Sequence, residues 1–288
     1  MGDREKNVGF AAALNILFTV IEIIGGLLTN SLALLADALH DFVDSFALII
    51  AWLAEKKAKQ PTTSKMTFGY RRLSLLSAGF TAIVIIAGSL LVISQAIPRL
   101  VNPEPVNAEG VILIAIIGVT INGLGYFRLK KGMSQSEKIL SWHLMEDTLG
   151  WIVLLTGAVI MKFWNEPVID PIMTIGFMIF VLWGASKNAK ETLNILLEGV
   201  PAYIDIDKVR KAILSIEGVK RVHDIHIWSL EGETVILTAH VVENKYLQEP
   251  DTIKQSIKSE LKRHHIEHST LELEGEGVCS ETVCVLNR

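Results

Sequence analysis

The sequence predicts a membrane-embedded bundle of six helices followed by a small α+β domain. Apolar residues make up 50% of the 288-residue chain and charged residues only 20%, whereas a soluble domain usually carries about 25% charge. The apolar residues fill the first two thirds of the chain, and charge concentrates after about Tyr203. We therefore predict a transmembrane domain over residues 1–200 and a soluble domain over residues 201–288.

Six apolar runs account for the predicted bundle, because a helix of about 20 residues crosses the hydrocarbon core of a bilayer. The runs lie at about residues 8–28, 32–53, 73–97, 106–129, 139–163 and 167–183. The first run continues without a small-residue cleavage site, so we predict that it is a span rather than a cleavable signal peptide. The lipid bilayer is therefore an expected partner.

The distribution of lysine and arginine residues predicts how the bundle is oriented in the membrane. They gather after the second, fourth and sixth runs, while the opposite loops hold little beyond Arg99 and Lys162. The clusters comprise Lys56, Lys57, Lys59, Lys65, Arg71 and Arg72, then Arg128, Lys130, Lys131 and Lys138, then Lys187, Lys190, Lys208, Arg210 and Lys211. Because positive loops stay in the cytoplasm, we predict that both termini and the soluble domain are cytoplasmic. Nothing in the chain resembles the basic stripe of a nucleic-acid-binding protein.

The soluble domain alternates between helical and strand periodicity. The pattern predicts a helix at about 205–215, strands at about 219–229 and 234–242, a helix at about 251–264 and a strand at about 270–274. The Glu231-Gly232 turn makes the first two strands a β-hairpin. This α-β-β-α-β order predicts a sheet with both helices on one side.

Two matched motifs place ionisable residues inside apolar runs. His40 and Asp44 lie four residues apart in the second run, and His143 and Asp147 have the same spacing in the fifth. Residues at i and i+4 share one face of a helix. With a rise of about 1.5 Å per residue, Asp44 and Asp147 both lie roughly 12–14 Å from the cytoplasmic edge. Antiparallel packing of the two helices would therefore bring all four side chains together.

Such side chains are costly in a bilayer, where a central Asp or Lys costs about 2.5–3.5 kcal/mol on insertion scales. A hydrogen bond between helices would satisfy a single His or Asp. Two matched pairs with no intramembrane lysine or arginine beside them must instead hold protons or a cation. Two imidazoles and two carboxylates suit a tetrahedral zinc site, and they tolerate cobalt, cadmium or iron.

Asp41 and Glu146 lie beside the two motifs, about 100° around each helix from their sequence neighbours. They have two interpretations. Either they orient the imidazoles from outside the ligand shell, or they bond to Asn15, Thr81 or Asn122. The sequence leaves both interpretations open.

Further motifs give the chain a family resemblance. They are Phe68-Gly69-Tyr70-Arg71-Arg72 before the third run, Asp170-Pro171 at the start of the sixth, and Val222-His223-Asp224-Ile225-His226-Ile227-Trp228 in the soluble domain. Together with the paired His-x-x-x-Asp motifs, they make the chain resemble the cation diffusion facilitator transporters over nearly its whole length. The resemblance implies that His40, Asp44, His143 and Asp147 bind the transported metal. It also implies a homodimer that exchanges cytoplasmic divalent metal for external protons.

The resemblance carries finer expectations for the cytoplasmic domain, which it predicts to have a metallochaperone-like (ferredoxin-like) fold and to sense metal and dimerise. His223, His240 and Glu274 align with regulatory metal sites of the family, although surface histidines of a small domain are often merely polar. Arg72 and Glu198 match positions that form a charged interlock in some relatives. Their alternative is an arginine at the membrane edge and a solvated glutamate.

The chain also departs from the family pattern. Ser74 and Thr81 stand where many members have an acidic residue and an asparagine, and no histidine-rich loop follows the fourth run. The second departure favours a bacterial-type member in the inner (plasma) membrane. Cys279 and Cys284 lie five residues apart near the end of the chain, a weaker zinc signature than C-x-x-C.

The leading interpretation is a secondary active transporter, not an enzyme, that exports zinc in exchange for protons. One alternative is a membrane-tethered zinc sensor that moves nothing, and another is a transporter with iron, cadmium or cobalt as its main cargo. An intramembrane zinc hydrolase is disfavoured because four protein ligands fill a tetrahedral shell, whereas catalytic zinc keeps an open position. Neither a nucleophile elbow nor H-E-x-x-H is present in the sequence.

Overall fold

The computed structural model describes residues 3–129, 135–244 and 249–275. Within its helices, the side chains of residues 3–15, 48, 129 and 135–143 lie outside that description. The chain forms two compact units. The helical unit comprises Met1–Trp52 and Phe80–Asn188, and the α+β unit comprises Leu53–Gly79 and Ala189–Arg288.

Six long helices correspond to the six predicted apolar runs. They are α1 (Asp3–Thr29), α2 (Leu32–Ala58), α3 (Leu73–Val101), α4 (Ala108–Leu129), α5 (Gln135–Trp164) and α6 (Ile169–Leu196). All except α4 extend beyond their runs at one end or both, because an α-helix continues into polar flanks that still favour helical geometry. The fold class of a helical membrane region before an α+β domain is therefore confirmed.

Four of these helices are long and apolar enough to cross a membrane within the described residues: Leu73–Val101, Ala108–Arg128, Leu144–Trp164 and Ile169–Leu196. The described part of α1 contributes a shorter apolar stretch, Ile16–Thr29. Helix α2 carries several aspartates among its apolar residues, and these make the helix less apolar overall. Leu28, Ile83 and Leu113 are 79%, 66% and 62% exposed, as expected of side chains that face lipid rather than water. The protein is a multi-pass membrane protein, and the count of six spans stays a prediction.

Close packing between α4 and α5 forms the core of the helical unit. The Trp151 side chain of α5 is 1% exposed, and its ring lies edge-on to that of Phe18 with centroids 5.4 Å apart. Gly118 of α4 faces the Trp151 indole so closely that a Cβ atom there would clash with it. Small residues that let membrane helices approach in this way stabilise bundles by packing alone.

The α+β unit has the predicted element order: α7 (Ile206–Leu214), β1 (Val219–Ser229), β2 (Val235–Glu243), α8 (Pro250–Arg263) and β3 (His268–Glu274). The sheet order is β1-β2-β3, with β1 antiparallel and β3 parallel to β2. Asp205 caps α7 by accepting from the amides of Lys208 and Asp207. Those hydrogen bonds, first the one from Lys208, lower the pKa of Asp205 below its usual value.

Alternation along β2 divides the sheet into two faces. Val235, Leu237, Ala239 and Val241 are at most 1% exposed and share one core with buried residues of both helices. Because neighbouring residues of a strand point to opposite faces, His240 lies on the other face. The sheet therefore keeps one face for its apolar core and leaves the second face for polar side chains.

Candidate metal sites

The first turn of α2 is held by a buried aspartate of α6. Asp170 is 0% exposed and accepts hydrogen bonds from the Leu32 amide at 2.8 Å, the Ala33 amide at 3.3 Å and the Ser31 hydroxyl at 2.5 Å. The first amides of a helix have no partner within it. A carboxylate from a second helix satisfies them here, so α2 begins at a fixed place in the helical unit.

Arg99 of α3 holds the residue just before α2. Its guanidinium donates to the Asn30 carbonyl at 2.9 Å and to Asn30 Oδ1 at 2.8 Å. The same group forms an ion pair with Glu104 at 2.8 Å. Asn30 has a positive φ of 54°, so the arginine stabilises a turn that few residues adopt.

His40 and Asp44 lie on α2 as the i, i+4 spacing predicts. His40 Nε2 is 3.6 Å from Asp44 Oδ2, and the two side chains are 29% and 26% exposed. His40 Nδ1 is buried and has no hydrogen-bond partner. The imidazole is held against Phe177 of α6, with ring centroids 5.7 Å apart. The pair is thus positioned by packing while its nitrogen and oxygen atoms remain available to a ligand.

Asp147 of α5 faces this pair from the other predicted helix. Its half-buried carboxylate lies within electrostatic range of the carboxylates of Asp37 and Asp44 of α2. His40, Asp44 and Asp147 therefore lie in the same part of the helical unit, and their assignment as metal ligands stays a prediction. His143 lies one helical turn before Asp147 on α5, and its side chain is among those outside the described residues.

The two acidic residues beside the motifs differ in burial. Asp41 is 4% exposed and lies within electrostatic range of Asp147 and Asp44, whereas Glu146 is exposed and acts on Asp147. Asn122, one of the alternative partners, donates to the Gly118 carbonyl of its own helix at 3.2 Å. The predicted role of Asp41 and Glu146 outside the ligand shell stays a prediction.

Sequence reasoning assigned no role to Glu22, a fully buried glutamate of α1. The only signal was a glutamate in an otherwise apolar run, which does not reveal which side of α1 is buried. Asp170 was noticed only as part of a family motif. Its capping role depends on contacts between α6 and α2 that no local pattern contains.

A second cluster lies in the α+β unit, where ligand atoms of His223, His240 and Glu274 are all within 4.8 Å of one another. His240 Nδ1 is 2.5 Å from Glu274 Oε1, and His223 Nε2 is 3.7 Å from Glu274 Oε2. His223 and Glu274 are 6% and 7% exposed. Both His223 ring nitrogens and Glu274 Oε2 lack hydrogen-bond partners.

The sheet register explains this cluster. His223 pairs with His240 across β1 and β2, and Glu274 is the partner of Val242 on β3, so all three side chains share the polar face. Tetrahedral zinc binds nitrogen and oxygen at about 2.0–2.2 Å, which places neighbouring ligand atoms roughly 3.3–3.6 Å apart. The separation of 3.7 Å between His223 Nε2 and Glu274 Oε2, two buried atoms without hydrogen-bond partners, is close to this range.

Other polar groups surround the cluster. His240 Nε2 is 3.8 Å from Asp224 Oδ2 and 3.6 Å from Glu272 Oε2. Asp224 lies in a bulge of β1 with a φ of 48°, and its Oδ1 is 2.9 Å from His226 Nε2. The bulge therefore turns Asp224 toward His226 and His240, leaving His226 outside the three-residue cluster.

Arg72 and Glu198 form an ion pair at 3.1 Å within the α+β unit, with side chains 40% and 60% exposed. An exposed pair of this kind contributes about 0–1 kcal/mol. Next to it, Arg71 donates to Glu231 at 3.2 Å and to Thr234 at 2.7 Å. The ion pair between Arg72 and Glu198 is present, and its role as an interlock stays a prediction.

Cys279 and Cys284, the two cysteines near the end of the chain, lie outside the described residues.

Comparisons with known proteins assign the chain to a class. Residues 8–197 match the family described as the cation efflux transmembrane domain, and residues 201–276 match the cation efflux protein cytoplasmic domain. The chain belongs to the cation efflux family, the cation diffusion facilitators. It is thus a member of a transporter family.

Its relatives are similar over most of their length. The chain is 34% identical over 276 residues to the metal cation efflux system protein CzcD of Cupriavidus metallidurans, covering 95% of this chain and 87% of that protein. It is 34% identical to a cadmium, cobalt and zinc/H(+)-K(+) antiporter of Bacillus subtilis, covering 90% and 85%. Against the zinc transporter ZitB of Escherichia coli it is 33% identical, covering 94% and 87%.

A solved structure also matches a quarter of the chain. The metal-bound C-terminal domain of the CzcD transporter from Cupriavidus metallidurans is 36% identical, and the match covers 25% of this chain and 99% of that domain with a TM-score of 0.24.

We predict that Asp170→Ala destabilises the helical unit. The substitution leaves the buried Leu32 and Ala33 amides without their acceptor, and each unsatisfied buried donor costs about 1–3 kcal/mol. The thermal unfolding midpoint of the detergent-solubilised full-length variant, measured without added metal, should fall. Thr174→Ala is the matched control, because buried Thr174 lies one turn along α6 and donates to that helix's own backbone. Equal midpoints for the two variants would contradict the capping role.

Proposed function

We propose that this protein exports zinc across the membrane in exchange for protons. The observation that carries the proposal is the convergence of His40 and Asp44 of α2 with Asp147 of α5. The carboxylates of Asp37, Asp44 and Glu146 all act on that of Asp147. Such a group of carboxylates in a low dielectric needs a cation or protons to be stable.

The donor types favour zinc as cargo. His40 supplies a buried imidazole nitrogen without a partner, and His143 lies one turn from Asp147 on α5. Two imidazoles and two carboxylates form a borderline-soft tetrahedral set that suits zinc. Relatives are named for zinc, and others for cadmium, cobalt and zinc together. Cadmium, cobalt and iron are the alternative cargoes.

Proton exchange follows from the chemistry of the same ligands. Metal binding needs a neutral imidazole and a charged carboxylate, so it releases protons from the site. A site open to the cytoplasm would bind zinc and release protons there. A site open to the outside would take up protons and release zinc, and rocking of the helices between these states is the usual transporter mechanism. The protein is, in this proposal, a secondary active transporter.

The proposed setting is a bacterial inner membrane with both termini in the cytoplasm. The basic loops support the orientation, and the relatives named above are bacterial. The match to the cytoplasmic domain of the family supports a homodimer. We propose residues 1–200 as the transport domain and residues 201–288 as the cytoplasmic domain.

The cluster of His223, His240 and Glu274 is proposed as a regulatory metal site. Its ligand atoms are close, and both His223 ring nitrogens and Glu274 Oε2 are buried without a hydrogen-bond partner, which supports a ligand. Bound zinc would report the cytoplasmic metal load, and Arg72 with Glu198 would act as an interlock near the membrane. The same cluster favours the second candidate function, a membrane-tethered zinc sensor that moves no metal.

Zinc flux in proteoliposomes is the direct test of transport. We expect wild-type protein to move zinc, and Asp44→Ala and Asp147→Ala each to reduce flux to that of empty liposomes, because each removes a ligand. Flux should slow when the pH gradient is abolished, and zinc movement should be accompanied by an opposite proton flux. Glu109→Gln is the control, since Glu109 of α4 is 76% exposed and pairs with Lys162. Wild-type protein that binds zinc without flux would support the sensor, and pH-independent flux would contradict proton exchange.

Metal preference provides a second test. We expect His40→Asp to shift flux from zinc toward manganese, because replacing an imidazole with a carboxylate makes the site harder. The measurement is a series of proteoliposome fluxes with zinc, cadmium, cobalt and manganese. His264→Asp is the control, since that histidine lies in the α+β unit near Glu260. An unchanged preference in His40→Asp would contradict the ligand assignment.

The regulatory site is tested by counting metal. In an Asp44→Ala background, His240→Ala is expected to lower bound zinc by about one ion per chain, because it removes the residue nearest to Glu274. With Asp44 intact, His240→Ala should still move zinc, since a regulatory site is not part of the transport path. Elemental analysis of dialysed full-length protein gives the count, with His264→Ala as the control. Equal zinc content would exclude this cluster as a site.

A further inference from the structure

An arginine of the α2–α3 connection, residues 59–72, binds the turn between β1 and β2. The Arg71 guanidinium donates to Glu231 Oε1 at 3.2 Å and to the Thr234 hydroxyl at 2.7 Å. That hydroxyl donates to the same Glu231 oxygen at 2.7 Å. All of these residues lie within the α+β unit. The three side chains therefore form a closed hydrogen-bonded ring that joins the connection to the turn.

The same connection also contacts the start of β3. The ring of Phe68 lies edge-on to that of His268, with centroids 6.2 Å apart. Gly69 follows with a positive φ of 74°, so the chain turns between Phe68 and Arg71 in a way that glycine readily allows. The segment from Phe68 to Arg71 thus contacts both the β1–β2 turn and the first residue of β3. Both contacts form together only when these two parts of the sheet keep their separation.

These contacts and the candidate regulatory site lie at opposite ends of one sheet. The β1–β2 turn and His268 are at one end of the three strands. The cluster of His223, His240 and Glu274, called the sheet cluster below, is at the other end, with one ligand on each strand. Val235 begins β2 and lies about 16 Å along that strand from His240. A metal that joins the three strands at one end would therefore limit their movement at the other.

The Arg71 contact is weak enough to respond to such a limit. The side chain of Arg71 is 51% exposed, and that of Glu231 is 15% exposed. An ion pair with an exposed partner contributes little to stability, so the domain does not need this contact in order to fold. Small changes in the position of the turn are then enough to form or open it.

We propose that zinc in the sheet cluster and the Arg71 contact stabilise each other through the sheet. The inference rests on the proposed function, because it takes the sheet cluster as the regulatory metal site. Helix α2 carries His40 and Asp44 and continues without a break to Ala58, directly before the connection. Arg71 is thus a positioning residue, which holds the end of the helix that carries two proposed transport ligands.

Hydrogen–deuterium exchange of the full-length protein in detergent tests the coupling, with and without added zinc. An Asp44→Ala background weakens the proposed transport site. We expect zinc to slow amide exchange in residues 59–72 by about two- to fivefold, because the formed contact reduces local opening. Arg71→Ala and His240→Ala should each abolish this slowing. Lys65→Ala is the matched control and should retain it, since Lys65 is an exposed basic residue of the same connection.

The coupling must act in both directions. Arg71→Ala should therefore weaken zinc binding by the sheet cluster by about two- to fivefold, the range that an exposed ion pair can supply. A zinc titration against a chelating dye in the Asp44→Ala background gives this affinity. Adding Glu231→Lys to Arg71→Glu restores a pair of opposite charges and should recover both the affinity and the slowed exchange. A contact that serves folding alone would lower the unfolding midpoint and leave the zinc affinity unchanged.

Two results would overturn the inference alone: an unchanged zinc affinity in Arg71→Ala, and zinc-dependent slowing that persists in that variant. Thr234→Val removes the shared hydroxyl and replaces Arg71→Ala where the latter does not fold. Zinc content that does not fall in His240→Ala would overturn the regulatory site and this inference with it. Absent zinc flux in the wild-type protein, with the coupling present, would overturn the proposed transport alone.

Discussion

The burial of several carboxylates inside the helical unit is the constraint on which the rest of the structure depends. Glu22, Asp41 and Asp147 lie on three different helices, and their carboxylates are within electrostatic range of one another. Removing such groups from water is costly unless a partner compensates them. Asp170 shows the contrast, because three donors satisfy its carboxylate. The carboxylate of Asp170, with its three donors, fixes the start of a helix, whereas neither carboxylate oxygen of Glu22 has a hydrogen-bond partner.

The helical unit positions these groups by packing rather than by their own contacts. Asp170 and Arg99 hold the start of α2, and Phe177 supports the His40 imidazole. Gly118 and Trp151 bring α4 and α5 together. Because close-packed interfaces have few alternative arrangements, each helix that carries a proposed ligand is held at a defined rotation. The proposed ligands would then need little ordering before a cation binds.

In the α+β unit, a β-sheet positions the candidate metal ligands. Both helices cover one face, so the other is free to hold His223, His240 and Glu274. Their proximity depends on the pairing of β1 with β2 and on the parallel addition of β3. The bulge in β1 then directs Asp224 toward His240. A register shift of one residue would move a whole strand's side chains to the opposite face.

The sequence alone determined the order of the elements and the His-x-x-x-Asp spacing of α2 and α5, because helical and strand periodicity are local properties. It also predicts that Asp44 and Asp147 lie at a similar depth in the bilayer, since depth follows from the number of residues between each of them and the end of its helix. Only the tertiary structure decided that Glu22 faces Asp41 and that Asp170 caps α2. Those contacts depend on how each helix is rotated about its axis, and rotation is set by packing against neighbours that are distant in the chain.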